Sequence, residues 1–407
     1  MDRLSQPRIL MVISQFHPNK GGAERQMLRL SEALVKKGVP VMIVAGAYPN
    51  EERETSIGDT VIHKNRIWGI RDKRGNYRLG SYTYMLTLLL FLIIHREEYD
   101  IIHAHIAGHN AVLCALAAAL LKKGFLIKVA NSGRGSDLSG LEKTPLFGNI
   151  FLNQVKRADR IVAINPNIKD ELLQYGFDLD KIVEIPNGIM PVTVVKGKRD
   201  EIRSSLKIAP SSRVVVFTGT FSEQKNIRLL IESWEAVVSQ VDDALLIMLG
   251  DGPEYEYVKR AARNIKGVLT PGRVSNVYEY LAAADIFVLP SRYEGISNSL
   301  LEAMCMGLTA VVSDIPGNLR LIAKEGEEPK YIYEEDSVKI YSSGIAVSEG
   351  DTKSLTRGLI RAIKDVKSSD NMAKRGRRRI EKDFNLDNIA DLYIDQYNTI
   401  LGRIKQD

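Results

Sequence analysis

The stretch PRILMVISQFHPNKGGAERQMLRLSEALVKKGVPVMIVAG, residues 7–46, decides the fold. An apolar run leads through a glycine-containing turn into a segment with apolar residues at three- and four-residue spacing, and a second apolar run follows. Met27, Leu30 and Leu34 mark the helical spacing, and Gly38 is a typical residue at a helix end. The pattern predicts a strand–helix–strand unit with parallel strands.

The same alternation continues along the chain. Further apolar runs separated by helical patterns lie at residues 100–105, 126–132 and 159–165. After a polar segment at 191–200, interpreted as a linker, runs follow at 213–220, 244–252, 267–274, 284–291, 308–314 and 343–351. Parallel sheets covered on both faces are therefore predicted twice.

A chain of 407 residues exceeds the roughly 250–300 at which one core stops growing, so two domains are expected. The prediction is an α/β protein with an N-terminal Rossmann-like domain at 1–190 and a second at 191–385. Residues 386–407 include heptad-like apolar spacing and are predicted to form a C-terminal helix that packs as a strap.

Composition limits the class of protein. With 44% hydrophobic and 26% charged residues the chain is typical of a globular protein. Cys114 and Cys305 both lie in apolar surroundings, which excludes a disulfide framework and favours a reducing, cytoplasmic compartment. The first apolar run is too short for a signal peptide, and the run at 84–94 is about half of the roughly 20 residues that span a bilayer.

Positive charge is concentrated in the first half. The formal net charge is +6, and the whole excess lies in residues 1–190. The basic segment 64–78 is followed directly by the apolar run 84–94. Either these segments rest on an anionic membrane or meet a lipid-linked acceptor, or the run is a buried helix. Nucleic-acid binding is disfavoured because the second half is neutral.

Ligands of open parallel sheets bind beyond the carboxyl ends of the strands, so the residues that follow each strand are the functional candidates. Gly22 belongs to a glycine pair before the first helix, where it can act as a structural turn or let backbone N–H groups hold a phosphate. His105 ends the run DIIHAH, and a ligand or proton-relay role is favoured over burial. No Cys or HExxH pattern accompanies the histidines there, so no metal site is expected.

Loops after two other strands contain the remaining candidates, and each loop has one basic side chain, Arg134 or Lys225. Arg134 and Asp137 in SGRGSD form either a polar loop or a contact to an acceptor or a phosphate. Lys225, just before a predicted helix, can neutralise a diphosphate, and the alternative is a solvated lysine.

Glu294 and Glu302, in SRYEGISNSLLEA, lie eight positions apart, which on one continuous helix would separate them by about 12 Å. Gly295 makes a continuous helix improbable, so Glu294 is assigned to a loop and Glu302 to the first turns of a helix that begins near Ser297 or Asn298. The amides of Ser297, Asn298 and Ser299 then face an anion. Alternatively, Ser299 to Glu302 is a capping box.

These residues resemble a known family. GGAERQ, HAH, GTFSEQKN, LGDGPE, EGISNSLLEA and MGLTAVVSDIPGN are similar to the motifs of glycosyltransferase family 4, which contains retaining enzymes of the GT-B fold. The resemblance implies two Rossmann-like domains facing each other across a cleft, with the C-terminal helix packing back on the first. It also implies a nucleotide-sugar donor, UDP- or GDP-linked, a glycan or lipid-linked acceptor, and no required metal or other cofactor.

The resemblance also implies roles for particular residues. Lys225 would bind the diphosphate, Glu294 the transferred sugar, Glu302 the ribose, Gly22 a phosphate and His105 the sugar hydroxyls. The whole predicted donor site consists of Gly22, Lys225, Arg273, Glu294, Gly295, Ile296, Ser297, Asn298, Ser299 and Glu302, with Glu294, His105 and Lys225 as catalytic residues. Surface polysaccharide or glycolipid synthesis at the inner face of a membrane is the expected setting.

The sequence departs from the family pattern at two places. Thr220 stands where the family usually has an arginine, and Arg320 where it often has a glutamate. The second positive charge of the donor site would then come from Arg320, Arg273 or Arg134. The alternative function is a catalytically weakened nucleotide-sugar-binding subunit. An epimerase or a phosphorylase is disfavoured by chain length and linker position.

Overall fold

The computed structural model describes residues 6–14, 21–47, 54–57, 60–66, 70–71, 77–78, 80–192, 197–324, 331–333 and 337–404. The chain forms two compact units. The first consists of Met1–Gly188 together with Leu386–Asp407, and the second of Ile189–Asn385. Each has its own sheet and its own core.

The first unit is built on an eight-stranded sheet. Its strands, with two further short ones, are β1 (Ile9–Ile13), β2 (Val41–Ala47), β3 (Glu54–Ile57), β4 (Thr60–Arg66), β5 (Ile70–Arg71), β6 (Tyr77–Arg78), β7 (Ile101–His105), β8 (Gly124–Val129), β9 (Arg160–Ala163) and β10 (Ile182–Glu184). The order is β10-β9-β8-β7-β1-β2-β4-β3, and β5 pairs separately with β6. Every pairing in the large sheet is parallel except that of β3 with β4.

Helices connect these strands. They are α1 (Gly22–Lys36), α2 (Gly80–Ile94), α3 (His109–Leu121), α4 (Asp137–Glu142), α5 (Gly148–Val155) and α6 (Pro166–Gln174). The helix α1 begins close to the predicted glycine turn, and its apolar face, including Met27, Leu30 and Leu34, is buried. The apolar run 84–94 forms most of α2. This helix buries Leu88 and exposes Leu86, so the run is neither wholly buried nor wholly exposed.

The second unit repeats the plan. Its strands are β11 (Arg213–Thr218), β12 (Ala244–Leu249), β13 (Val268–Gly272), β14 (Ile286–Leu289), β15 (Thr309–Ser313), β16 (Tyr331–Tyr333), β17 (Val338–Tyr341) and β18 (Gly344–Val347). The order is β13-β12-β11-β14-β15-β18-β17-β16. The first six in this order are parallel, and β17 and β16 add antiparallel strands at one edge, which the sequence analysis missed.

Nine helices complete the described chain. They are α7 (Lys198–Ser205), α8 (Ile227–Val238), α9 (Tyr255–Asn264), α10 (Val277–Ala283), α11 (Asn298–Cys305), α12 (Pro316–Ile322), α13 (Thr352–Lys364), α14 (Val366–Asp383) and α15 (Leu386–Ile404). The predicted linker 191–200 is partly wrong because α7 already begins at Lys198; residues 193–196 lie outside the described residues. Helix α15 belongs to the first unit, where it packs against α1, β7 and β8.

Candidate active site

Lys225 and Glu294 meet at the topological switch point of the second unit. Strands β11 and β14 are neighbours, and the chain continues from β11 to one side of the sheet and from β14 to the other. In such sheets, the carboxyl ends of the two central strands form a crevice that binds ligands. Lys225 ends a short 3-10 turn after β11, and Glu294 lies in the loop after β14.

The two side chains form an ion pair. Nζ of Lys225 donates to Oε1 of Glu294, and the side chains are only 15% and 8% exposed. The alternative of a solvated lysine is therefore wrong. A partly buried pair leaves each charge compensated, so an anionic ligand that binds Lys225 has to compete with the carboxylate of Glu294.

The loop that carries Glu294 is fixed from two sides. The amide of Arg292 donates to the carbonyl of Gln224 at 2.9 Å, and Nε2 of Gln224 donates to the carbonyl of Tyr293 at 3.1 Å. On the other side, a Cβ added to Gly317 would lie 2.2 Å from the carbonyl oxygen of Gly295. Glycine at 317 is thus required for this loop to lie against the beginning of α12.

Helix α11 begins at Asn298, as the sequence predicted. Ser297 is its N-cap, and its hydroxyl accepts from the amide of Leu300 at 3.4 Å. The capping-box alternative is wrong because Ser299 is already the second helical residue. Glu302 lies on this helix and is 3% exposed.

Five further members of the predicted donor site lie between the Glu294 loop and the first turn of α11. Gly295, Ile296 and Ser297 are buried, and Asn298 and Ser299 are half-buried. The backbone amides of residues 295–299 lie just before α11 and in its first turn. Their positions are suitable for binding an anion at the helix N-terminus.

Two arginines of the second unit were predicted as sources of further positive charge. Arg273 follows β13, is 61% exposed and lies 3.9 Å from Asp251. Arg320 is on α12; its Nε is buried and has no hydrogen-bond partner among the residues that the structure describes. Thr220 is exposed, so it leaves an uncharged position where the family pattern has an arginine.

The switch point of the first unit lies between β1 and β7. Gly22 is the first residue of α1, and the segment 15–20 before it is outside the described residues. The carboxylate of Glu24 accepts from the backbone amides of Gly21 and Glu24, while burial raises the pKa of this carboxyl group. The chain's own carboxylate thus occupies the helix N-terminus at which a phosphate was predicted.

His105 is more buried than the sequence suggested. A ligand or proton-relay role was favoured over burial, and His105 is 2% exposed. Its Nε2 has no hydrogen-bond partner among the described residues, and its catalytic role stays a prediction. Its ring stacks on His103 with a centroid distance of 4.1 Å, and Nδ1 of His103 bonds the hydroxyl of Tyr397 on α15 at 2.8 Å. Burial, and the charges of His103 and Lys128, lower the pKa of His105, so the ring is a neutral, covered side chain.

Sequence models of two families match the chain, one in each half. The model described as "Glycosyltransferase Family 4" matches residues 20–191, and the one described as "Glycosyl transferases group 1" matches residues 212–365. The chain is a glycosyltransferase of the family 4 type. The resemblance, the enzyme class and the fold class predicted from the sequence are confirmed.

Similar proteins span nearly the whole glycosyltransferase. N-acetyl-alpha-D-glucosaminyl L-malate synthase of Bacillus anthracis is 23% identical over 394 residues, 96% of each chain. UDP-Gal:alpha-D-GlcNAc-diphosphoundecaprenol alpha-1,3-galactosyltransferase of Escherichia coli is 26% identical over 75% of this chain and 78% of its own. The crystal structure of Anabaena Alr3699/HepE in complex with UDP and glucose superposes with a TM-score of 0.75, 17% identity and coverage of 97% and 100%.

Sequence reasoning about the glycosyltransferase missed Lys128. It lies in β8 beside His105, is 5% exposed, and its Nζ donates to Oδ1 of Asn187 at 2.8 Å. Burial lowers the pKa of Lys128 to about 7. A lysine inside the apolar run LIKVA was the available signal, because a strand buried on both faces seldom contains one.

The loop after β8 contains the two residues predicted to meet an acceptor or a phosphate. Asp137 accepts from the amides of Ala130 at 2.8 Å and Asn131 at 3.3 Å, and from Nδ2 of Asn131 at 3.0 Å. Burial raises the pKa of Asp137, and these hydrogen bonds oppose that rise. Its carboxylate therefore closes the loop. Arg134 lies in the 3-10 turn Gly133–Gly135, and its side chain is outside the described part.

Cys114 and Cys305 are buried and form no disulfide bond. Within the ranges that the structure describes, no group of three or more His, Cys, Asp or Glu side chains is placed to hold a metal ion. In the same ranges, no helix combines the length and apolar character needed to cross a membrane.

Proposed function

We propose that this glycosyltransferase transfers a sugar from a nucleotide-sugar to a glycan or lipid-linked acceptor with retention of the anomeric configuration. The observation that carries the proposal is the Lys225–Glu294 pair at the switch point of the second sheet. It combines a cation for a diphosphate with a carboxylate for sugar hydroxyls in one crevice. The UDP complexes of Anabaena HepE and the UDP-Gal donor in the name of the Escherichia coli relative support UDP over GDP as the nucleotide.

Donor binding begins with an exchange of partners. The diphosphate takes over Lys225 and the amides of residues 297–299, and the carboxylate of Glu294 turns to the hydroxyls of the transferred sugar. Glu302 holds the ribose hydroxyls; because it is 3% exposed, the ribose has to displace the contacts that cover it. The ion pair thus keeps both groups ordered before the donor arrives.

The chemical step depends on the negative charge that develops on the departing diphosphate. Lys225, the N-terminus of α11 and one of Arg273 or Arg320 stabilise that charge. The oxygen of the acceptor hydroxyl attacks the anomeric carbon on the face from which the diphosphate departs. The bond between that carbon and the diphosphate oxygen breaks, and a phosphate oxygen of the leaving group accepts the hydroxyl proton. Asp137, which closes its own loop, is not needed for this step. A contact of His105 with the sugar hydroxyls stays part of the proposal, since its Nε2 has no partner among the described residues.

The acceptor setting comes from the relatives. Phosphatidyl-myo-inositol mannosyltransferase of Mycobacterium leprae and the Escherichia coli galactosyltransferase both have lipid-linked acceptors in their names. A lipid-linked acceptor would bring this enzyme to the inner, cytoplasmic face of a membrane and to surface polysaccharide or glycolipid synthesis. The expectation that no metal or other cofactor is required remains part of the proposal.

Purified enzyme incubated with UDP-, GDP- and ADP-sugars tests the proposal through slow donor hydrolysis and through calorimetric binding of the free nucleotides. Lys225→Ala should lower the turnover number by roughly 10²–10³-fold, as expected for one contact to a developing charge. Glu294→Ala should abolish turnover, and Glu235→Ala, which removes an exposed carboxylate from α8, should leave it unchanged. Nucleotide binding without turnover of any donor would favour the catalytically weakened subunit. Full activity of Glu294→Ala would refute the assigned site.

A further inference from the structure

The outer face of α2 is an exposed apolar stripe. Tyr82, Leu86, Leu90 and Ile94 follow one another at four-residue spacing and are 50–75% exposed. The opposite face, which includes Leu88, is buried in the first unit. Residues 80–94 contain no charged side chain, so nothing on this stripe favours water over an apolar partner.

The stripe continues onto α3. This helix packs against α2 and exposes Leu116 and Leu120, one turn apart. Residues 109–121 likewise contain no Asp, Glu, Lys or Arg. Two adjacent helices thus present leucines to solvent with no charge among them, whereas surface helices usually carry polar residues on that side.

A third segment extends the same surface. Leu146, Phe147 and Ile150, at the start of α5, are exposed, and α5 packs against α3. The ring of Phe151 on α5 lies 5.6 Å from that of His109 at the start of α3. We call the exposed side chains of α2, α3 and residues 146–150 the apolar face.

Basic residues border the apolar face. Lys122 directly follows α3, Lys143 precedes Leu146, and Arg157 follows α5; all three are exposed. The cationic border makes an anionic partner attractive.

The acidic side chains nearby already have partners. Glu97 pairs with Arg96 at 3.2 Å, and Glu98 with His95 at 2.8 Å. Glu142 accepts from the hydroxyl of Tyr175 at 2.8 Å. The ion pair of Glu97 with Arg96 reduces the repulsion that an anionic surface would meet here, whereas the neutral hydroxyl of Tyr175 leaves Glu142 charged.

We propose that the apolar face rests on a lipid bilayer that contains anionic lipid. The exposed leucines and aromatic rings enter the boundary between headgroups and acyl chains, and the bordering cations lie at the headgroups. Helix α2 lies in the plane of the interface, because its inner face is packed on the unit and its length, about 22 Å at 1.5 Å per residue, is less than the roughly 30 Å of a bilayer core.

A second copy of the chain is the competing occupant, and charge argues against it. A two-fold dimer through the apolar face would bring the basic borders of two copies together, whereas an anionic bilayer converts the same charges into attraction. The inference rests on the proposed function only for the identity of the acceptor, which the bilayer would contain.

Flotation of the full-length enzyme with vesicles tests the proposal. We expect binding to phosphatidylcholine vesicles that contain phosphatidylglycerol, weaker binding without it, and loss of the difference at high salt. The double variant Leu86→Glu/Leu116→Glu should bind at least about tenfold more weakly, because a carboxylate is excluded from the interface. Leu392→Glu is the matched control, because Leu392 on α15 is 43% exposed against 45% for Leu116 and its helix packs on α1.

A second variant tests the charges without touching the leucines. Lys143→Glu/Arg157→Glu should weaken binding to anionic vesicles by at least about fivefold per residue changed and leave the weak binding to neutral vesicles as it was. Circular dichroism and UDP binding of each variant report on folding and on the donor site separately from the membrane.

Several results would overturn the inference. Wild-type enzyme that fails to float with anionic vesicles at low salt would do so, as would a Leu86→Glu/Leu116→Glu variant that floats like wild type. A dimer in sedimentation velocity that Leu116→Glu dissociates, without flotation, would assign the face to a second copy. Failure of UDP binding with normal flotation would refute the proposed function and leave this inference standing.

Discussion

Lys128 makes the stability of the first unit depend on pH in an unusual direction. Its amine is buried, bonded to Asn187, and has a pKa of about 7, against about 10.4 for an unperturbed lysine. Between these two pH values the unfolded chain binds a proton at Lys128 that the folded chain does not. The free energy of unfolding rises with pH wherever the unfolded state binds more protons than the folded state. Lys128 therefore lowers this free energy by its full amount below pH 7, and by progressively less as the pH rises to about 10.4.

The magnitude follows from the same difference. Each pH unit within the window is worth about 1.4 kcal/mol, so the contribution of Lys128 changes by ~4 kcal/mol between about pH 7 and 10. In a domain of about 200 residues, this corresponds to roughly 8–16 °C in the midpoint of thermal unfolding.

Scanning calorimetry of wild type and Lys128→Met at intervals between neutral pH and pH 10 measures the effect. The methionine variant should have the higher midpoint near neutral pH, and the gap should close by that amount as the pH rises. Lys169→Met, at a partly exposed position on α6, controls for the loss of one positive charge. Parallel pH profiles for wild type and Lys128→Met would refute the reasoning, because they would mean that Lys128 releases its proton at the same pH in both states.

Three further predictions concern other parts of the molecule. Gly317→Ala should displace the carbonyl of Gly295 and with it the Glu294 loop, so that calorimetry detects weaker UDP binding by at least about tenfold in a protein that still folds. Asp285→Asn should destabilise the second unit by about 3–5 kcal/mol in urea unfolding, since it leaves the buried guanidinium of Arg203, 3.0 Å away, without its anion; an effect under about 1 kcal/mol would contradict this. Burial raises the pKa of the Cys114 thiol, so Ellman's reagent should modify it only after denaturation, and rapid modification of the native enzyme would show that it is accessible.

The sequence predicted those parts of the fold that are determined by residues close to one another along the chain. These parts include the parallel strands and the start of α11 after the Glu294 loop. The spacing of apolar residues, the position of a glycine and the capping of a helix each depend on only a few neighbouring residues. The antiparallel strands β3 and β16 were missed because they lie at sheet edges, where one side is unpaired; β17, which pairs with both β16 and β18, was missed because its apolar run is short.

The errors in the site have long-range causes. His105 was expected to lie at an accessible strand end and is instead buried beside His103, whose ring bonds the hydroxyl of Tyr397, 294 residues further along the chain. The sequence placed Lys225 and Glu294 near the same ligand without indicating that they pair with each other across 69 positions. Such contacts depend on how elements distant in sequence pack, and spacing within a motif contains no information about that.

Helix α15 affects the order in which the chain becomes complete. The first unit includes Met1–Gly188 but is finished only by Leu386–Asp407, and the amide of Ile189 bonds the carbonyl of Phe384 at 2.9 Å where the chain leaves and returns. On the ribosome, Met1–Gly188 therefore emerges before the segment that completes its unit, and Ile189–Asn385 is made between the two. A premature stop between Leu386 and Tyr393 would leave a newborn protein with all residues of the second unit and with His103 lacking its contacts to Tyr393 and Tyr397.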